Sequence, residues 1–307
     1  MTLPSSGLAS GVSSASGVSS NDRALQWGAR PYIMGIVNVT PDSFSGDGLA
    51  RDGDMIAAGV AQAAQFLADG ADILDIGGES TRPGAEPVPV AEEIARTQPV
   101  IAAIRDAFPQ AILSIDSFKA ETAAAALDAG ADWINDVWAF QADPQMAPLA
   151  KARGCPVVLM HNRSKPGHAD IDRRLGGSYK APDYADFLAE VLDELRTIIT
   201  RALDAGIAPE NIILDPGVGF GKTVAQNMAL INCLDRVRAL GYPVLLGASR
   251  KSFIGRVLDV EADERVDGTA ATTALGVVRG ADIFRVHDVR QMAHVARMTH
   301  AMLTATP

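Results

Sequence analysis

The sequence predicts a (β/α)8 barrel, and three observations carry that expectation. Eight short apolar runs rich in β-branched residues alternate with longer stretches of helical period along the 307 residues. Each run ends in polar residues: Asn38-Val-Thr-Pro-Asp42, Glu79-Ser-Thr-Arg-Pro83, Ser114-Ile-Asp-Ser117, Ile134-Asn-Asp136, Met160-His161, Leu214-Asp-Pro-Gly217, Ser249-Arg-Lys-Ser252 and Arg285-Val-His287. A Gly-Ala-Asp echo recurs at 70–72, 130–132 and 280–282, each time between a helix end and the next strand. In a parallel barrel the loops after the strands converge on one face, which collects such polar tips. Eight units favour a closed barrel over an open doubly wound sheet.

The elements follow in order. The first strand is read over 32–37, and a helix over about 54–68 ends at Asp69-Gly70. Strand two covers 72–76, helix two 90–107, strand three 111–115 and an Ala-rich helix 119–128. Strand four covers 132–134, a short helix lies near 145–152, and strand five covers 156–160. The polar stretch 161–182 has no period and is longer than ordinary connections, so it is expected to be a flap or an extra helix. Helix five follows at 183–204, strand six at 211–214, helix six at 223–239 and strand seven at 243–246. A short helix begins near Lys251, the main one covers 265–279, strand eight 282–286 and the last helix 288–302. Short continuous apolar strands suit a parallel sheet covered on both faces. The three Asp residues of the echo are expected to trim strand starts on the stability face, with glycine ending each preceding helix.

Composition narrows the function classes. At 48% hydrophobic the chain can bury one large core, and a net charge of -10 argues against a general nucleic-acid surface or an anionic membrane partner. A cleft can still be locally positive for a phosphorylated substrate. The first 22 residues hold eight Ser, three Gly and one charge, Asp22. Residues 1–24 are therefore expected to form a disordered tail, and 25–307 a single domain. With no signal-like start, no membrane-length apolar run and only Cys155 and Cys233, the cytoplasm is the expected compartment.

Several residues could carry chemistry. Asn38 and Asp42 offer hard oxygens to Mg²⁺, or they cap a turn. The segment 77–84, with Thr81 and Arg82 beside glycines, could hold phosphate oxygens. The segment Gly217-Val-Gly-Phe-Gly-Lys-Thr223 resembles a P-loop but has three residues between its glycines where four are required. Asp116, Asn135 and Asp215 at strand ends either cap the following helices or, with Lys251, read the donor and acceptor edge of an aminopyrimidinone. Arg250, Lys251, Arg285 and His287 fall in the quarter of such barrels that favours phosphate, and with Arg82 would stabilise a departing anion. His161 is read either as a packing or loop-anchoring residue or as part of the site.

The ordered set of motifs resembles the dihydropteroate synthase family, folate-pathway enzymes inhibited by sulfonamides. It comprises 35–44, 75–84, 114–117, 134–136, 214–217, 219–223, 249–253 and 285–288, from about Tyr32 to the last helix. The resemblance implies condensation of a 6-hydroxymethyl-7,8-dihydropterin diphosphate with 4-aminobenzoate, with diphosphate leaving first. It implies that Asp116, Asn135, Asp215 and Lys251 hold the pterin, that Asn38 binds Mg²⁺, and that Thr81, Arg82, Arg285 and His287 contact the diphosphate. Asp42 would organise the first loop, and Pro83, Phe220, Lys251 and Ser252 would shape the aminobenzoate site. A homodimer through helices near the carboxyl end is also implied. Two departures are visible: Phe44-Ser-Gly-Asp-Gly48 in place of the commoner Phe-Ser-Asp-Gly-Gly, and Asn162-Arg163-Ser164 after Met160-His161 in place of Met-Gln-Gly. Related pterin-binding methyltransferases and a non-catalytic pterin binder are the alternatives; product formation from the two substrates separates them.

Overall fold

A computed structural model describes residues 25–40, 52–80, 87–164, 169–172, 176–180 and 183–306. The expected tail over 1–24, together with Asp42, the 45–48 turn, Thr81, Arg82 and Pro83, lies outside the described residues. Strands β1 (Tyr32–Asn38), β2 (Ile73–Gly77), β3 (Ile112–Asp116), β4 (Trp133–Asp136) and β5 (Val157–Met160) alternate with helices α1 (Asp52–Asp69), α2 (Val90–Ala107), α3 (Ala120–Asp128) and α4 (Met146–Arg153). A hairpin of β6 (Ala169–Asp172) and β7 (Gly176–Tyr179) precedes α5 (Phe187–Asp204). Next come β8 (Ile212–Asp215), α6 (Val224–Asn232), α7 (Leu234–Arg238) and β9 (Leu245–Leu246). Helices α8 (Ser252–Leu258) and α9 (Val266–Val278), strand β10 (Ile283–Val286) and helix α10 (Val289–Thr304) complete the chain.

Eight strands form one parallel sheet in the order β8-β5-β4-β3-β2-β1-β10-β9. A parallel bridge between Leu214 and Val244 joins its two ends, and the sheet closes into a (β/α)8 barrel. Inside, each strand sends one large apolar residue to a common layer: Met34, Ile73, Ile112, Trp133, Val158, Ile213, Leu245 and Ile283, with Leu25 and Trp27 below them. Outside, the alternate strand residues pack against helices; on α5, Val191, Leu195, Ile198 and Ala202 form the buried stripe. No described helix is long and apolar enough to cross a membrane.

Two expectations are corrected. The stretch 161–182 holds no extra helix among its described residues; Ala169–Asp172 pairs antiparallel with Gly176–Tyr179. A hairpin needs no apolar face of its own when its backbone groups pair with each other, so periodicity could not find it. The single helix expected over 223–239 breaks at Cys233, whose backbone (φ -112°, ψ 21°) leaves the helical region. The break lets Leu230 and Ile231 on α6 and Leu234 and Val237 on α7 all reach the core.

The Gly-Ala-Asp echo does what its position suggested. Asp72 donates its N–H to the Ile33 carbonyl (2.8 Å), and its carboxylate accepts the Ile33 N–H (2.9 Å) and a fork from Arg30. Asp132 makes the same closed ring with Leu113 and takes Arg105 at 2.6 Å. Asp282 repeats it with Val244, adding the Gly28 N–H and Arg238. Each ring staples the start of one strand to its neighbour at the end of the barrel opposite the polar tips.

Candidate active site

The site follows from strand parity. Side chains of a strand alternate between faces, so the residue two places after an inward apolar one also points into the barrel. Moving two residues on from the apolar layer gives Asp75 from Ile73, Asn135 from Trp133, Met160 from Val158, Asp215 from Ile213 and Arg285 from Ile283. Four residues on from Ile112 and Ile283 stand Asp116 and His287. The register confirms the gathering: Gly77 pairs with Asp116, Asp116 with Asn135, and Met160 with Asp215.

At the centre one guanidinium serves two carboxylates. Arg285 Nε donates to Asp75 Oδ2 at 2.6 Å, and its Nη2 donates to Asp116 Oδ2. Asn135 Nδ2 donates to the same Asp75 oxygen at 3.0 Å. Burial pushes Asp116 up to about 7, with Asp75 and Glu93 adding to the rise and Arg285 and Lys251 opposing it. Arg285 moves the other way in meaning: burial disfavours its charge, yet Asp75 and Asp116 hold it above its usual value. The two shifts are compatible because a single cation cannot neutralise two buried anions. Among the described residues, Asp75 Oδ1, Asp116 Oδ1 and Ser114 Oγ are buried with no hydrogen-bond partner. Such orphaned acceptors are costly and mark a place for a donor-rich ligand.

Asp215 stands across the pocket. Its Oδ1 accepts the Gly217 N–H at 2.7 Å; burial raises its pKa, against the pull of Lys251, Lys222 and Arg285. Lys251 lies over the Phe220 ring, 4.1 Å from its centroid. The backbone allows this only with glycine at 219, where φ is +86° and a Cβ would come within 2.8 Å of Lys251 Cδ. Val137, Trp138, Met160 and Phe220 form an apolar wall with Phe118 against it. The wall and the polar edge together suit a flat heterocycle.

His287 is oriented by Ser249. The Ser249 hydroxyl oxygen accepts the His287 backbone N–H (3.2 Å) and lies 3.0 Å from the ring Nδ1, which fixes the ring between them. Arg250, expected among the cationic rim groups, instead forms a fork with Asp288 through Nε (2.9 Å) and Nη2 (2.5 Å). Lys119 pins both roots of the segment that contains Thr81, Arg82 and Pro83: it donates to Glu79 Oε2 (2.6 Å) and the Val88 carbonyl (2.5 Å), and also to Glu93.

Asn38, at the end of β1, is half-buried and offers one amide oxygen. Among the described residues no group of three or more His, Cys, Asp or Glu could hold a metal. A lone hard oxygen fits Mg²⁺ in the manner of phosphate-handling sites, where most ligands come from substrate and water. Sequence reasoning assigned no role to Asp75, although it lies within a quoted motif; the parity count from Ile73 would have found it.

Comparison with known proteins bears on this geometry. Residues 34–287 match the pterin binding enzyme family. The chain belongs to that family. It is 46% identical over 273 residues to a dihydropteroate synthase of Clostridium beijerinckii, covering 89% of this chain and 94% of the relative. A dihydropteroate synthase of Clostridium difficile, solved in the presence of pteroic acid, superposes with a TM-score of 0.82 at 42% identity, covering 92% of this chain and all of that one. One from Xanthomonas albilineans, solved with 4-aminobenzoic acid, gives a TM-score of 0.81 at 42% identity over 91% and 95% of the two chains. This member of the family is a transferase with a dihydropteroate synthase function in folate biosynthesis.

Proposed function

We propose that the rim condenses (7,8-dihydropterin-6-yl)methyl diphosphate with 4-aminobenzoate, giving 7,8-dihydropteroate and diphosphate, through the residues described above. The observation that carries this assignment is the pair of buried oxygens on Asp75 and Asp116 with no partner among the described residues, on two carboxylates that share the single Arg285 guanidinium. Asp116 and Asp215 accept the N–H and amino donors of the pterin, Asn135 supplies both donor and acceptor, and Lys251 meets a ring acceptor. Ligands of the two solved relatives, pteroic acid and 4-aminobenzoic acid, support the same substrates here.

Chemistry begins with cleavage of the methylene carbon–oxygen bond, whose electron pair leaves with the diphosphate. Thr81, Arg82, Arg285 and His287 receive that growing negative charge, and the positive charge left on the pterin is stabilised by the Asp116 carboxylate. Asn38 would hold Mg²⁺, which supplies charge neutralisation for the diphosphate when bound. The 4-aminobenzoate nitrogen, seated by Pro83, Phe220, Lys251 and Ser252, then donates its lone pair to the methylene carbon. A C–N bond forms, and one aniline proton passes to water. No strong base is required, because the aromatic amine is neutral at working pH. The family resemblance assigns Asp42 to organising the first loop.

The exposed apolar residues Val278, Met298, Met302 and Leu303 on α9 and α10 support a homodimer through this face. The functional assay supplies Mg²⁺, the pterin diphosphate and 4-aminobenzoate and follows diphosphate release. Substitution Asp116→Asn should lower kcat/KM about 100-fold while the protein stays folded. Unchanged turnover in that purified variant would remove Asp116 from the mechanism.

A further inference from the structure

The glycine-rich segment 217–223 carries a lysine for which the condensation has no task. Lys222 does not face solvent or a phosphate-like opening; it is 7% exposed. Burial lowers Lys222 to about 7, against the pull of Asp215 and Glu194; as the ammonium it donates to the Gly217 carbonyl (2.9 Å), the Phe220 carbonyl (3.1 Å) and His161 Nδ1 (3.1 Å), so all three protons are used. His161, also buried, therefore accepts at Nδ1 and donates from Nε2 to Glu194 Oε2 at 2.7 Å. Glu194, on α5, is gripped in turn by Arg163 Nε at 2.8 and 3.1 Å, and Arg163 reaches Glu190. The chain of contacts runs from the pocket wall to an outer helix, with Lys222 donating to His161, His161 to Glu194, and Arg163 to both Glu194 and Glu190.

These contacts hold the part of the loop that matters. The two carbonyls bracket the turn that carries the Phe220 ring, and Phe220 N–H closes that turn on the Gly217 carbonyl (3.1 Å). The same Gly217 gives its N–H to Asp215. From the other side, buried Asn227 accepts the Gly219 N–H at 2.6 Å and donates to the Lys222 and Thr223 carbonyls. A Cβ at Gly217 would sit 1.9 Å from the His161 carbonyl oxygen, so the β8 loop is seated directly on the end of β5. An aliphatic residue at 222 would take a donor from two buried carbonyls and a ring nitrogen, and would remove a cation that favours the Asp215 carboxylate.

We propose that Lys222 is a positioning residue for the pterin pocket: it ties the β8 loop to His161 and places Phe220 beneath Lys251, while Glu194 locks His161 in the orientation that accepts its proton. The proposal rests on the reading of Asp215 and Phe220 as pterin-pocket residues. The charged groups that bear on Lys222 are Asp215, Glu194, Lys251 and Arg163, with His161 in contact; those that bear on Asp215 are Lys251, Lys222 and Arg285.

The test measures the Kd of 6-hydroxymethylpterin by calorimetry between pH 5 and 8 for the full chain and three variants. Lys222→Met should weaken binding about tenfold at pH 6, where Lys222 is the ammonium. It should also move the acid limb to higher pH, because Asp215 without its neighbouring cation takes up a proton more readily. A Kd within twofold of the parent, or a loss by one constant factor at every pH, overturns the proposal. Should Lys222→Met fail to fold, Glu194→Gln on the half-exposed helix decides: a two- to threefold loss is expected, and no loss overturns the assignment. Asp215→Asn is the control, since parent-like binding there would instead refute the pterin reading on which this one stands.

Discussion

The two ends of the barrel use the same residue for opposite purposes. At the bottom, Asp72, Asp132 and Asp282 each close a ring with a neighbouring strand and take an arginine. At the top, Asp75 and Asp116 share one arginine, and each keeps a buried oxygen with no partner among the described residues. A satisfied buried carboxylate adds to stability, whereas an unsatisfied one is a cost borne by the folded state and recovered when a ligand donates to it. The difference separates a staple from a binding site without any change of residue type.

The largest effect should come from Arg285→Ala. Removing the guanidinium leaves Asp75 and Asp116 facing each other uncompensated and deprives the departing diphosphate of a donor. A fall in kcat/KM of about 1,000-fold is expected in the diphosphate-release assay, with a smaller loss of stability. Full turnover in this variant would break the comparison at its top end. Next comes Asp132→Ala at the bottom. It orphans the Leu113 N–H and leaves Arg105 with backbone carbonyls but no carboxylate, so urea unfolding should show a loss of about 3 kcal/mol, while kcat and KM of the surviving folded enzyme stay within about twofold. A selective loss of activity would show that the two ends are not independent.

The smallest effect is a pH dependence that sharpens the contrast. Because burial raises Asp116 to about 7 in the folded protein, the folded state binds more protons than the unfolded chain between about pH 4 and 7. Its contribution to stability is therefore complete below about pH 4 and is lost as pH rises through about 7. Comparing urea unfolding of the parent with Asp116→Asn across this range should reveal a steeper fall of stability with pH in the parent. Parallel pH curves would show that Arg285 keeps Asp116 fully ionised.

Much of this was legible in the chain. Alternating apolar runs and helical stretches determined the barrel, the glycine of each Gly-Ala-Asp marked a helix end at positive φ (Gly70 +101°, Gly130 +111°, Gly280 +84°), and the polar strand ends named Asp116, Asn135, Asp215, Lys251, Arg285 and His287. Those signals are local: periodicity, backbone freedom and residue type act within a few positions. Tertiary structure alone decided the rest. Asp75 joined the site because β1, β2, β3 and β10 meet in register, and Arg250 left it because Asp288 was within reach. Lys222 became a buried strut because the end of β5 lies against the β8 loop. In each case the partner is far away in sequence, and the outcome depends on which acceptor a long flexible cation meets once the barrel has closed, a competition that composition and spacing do not encode.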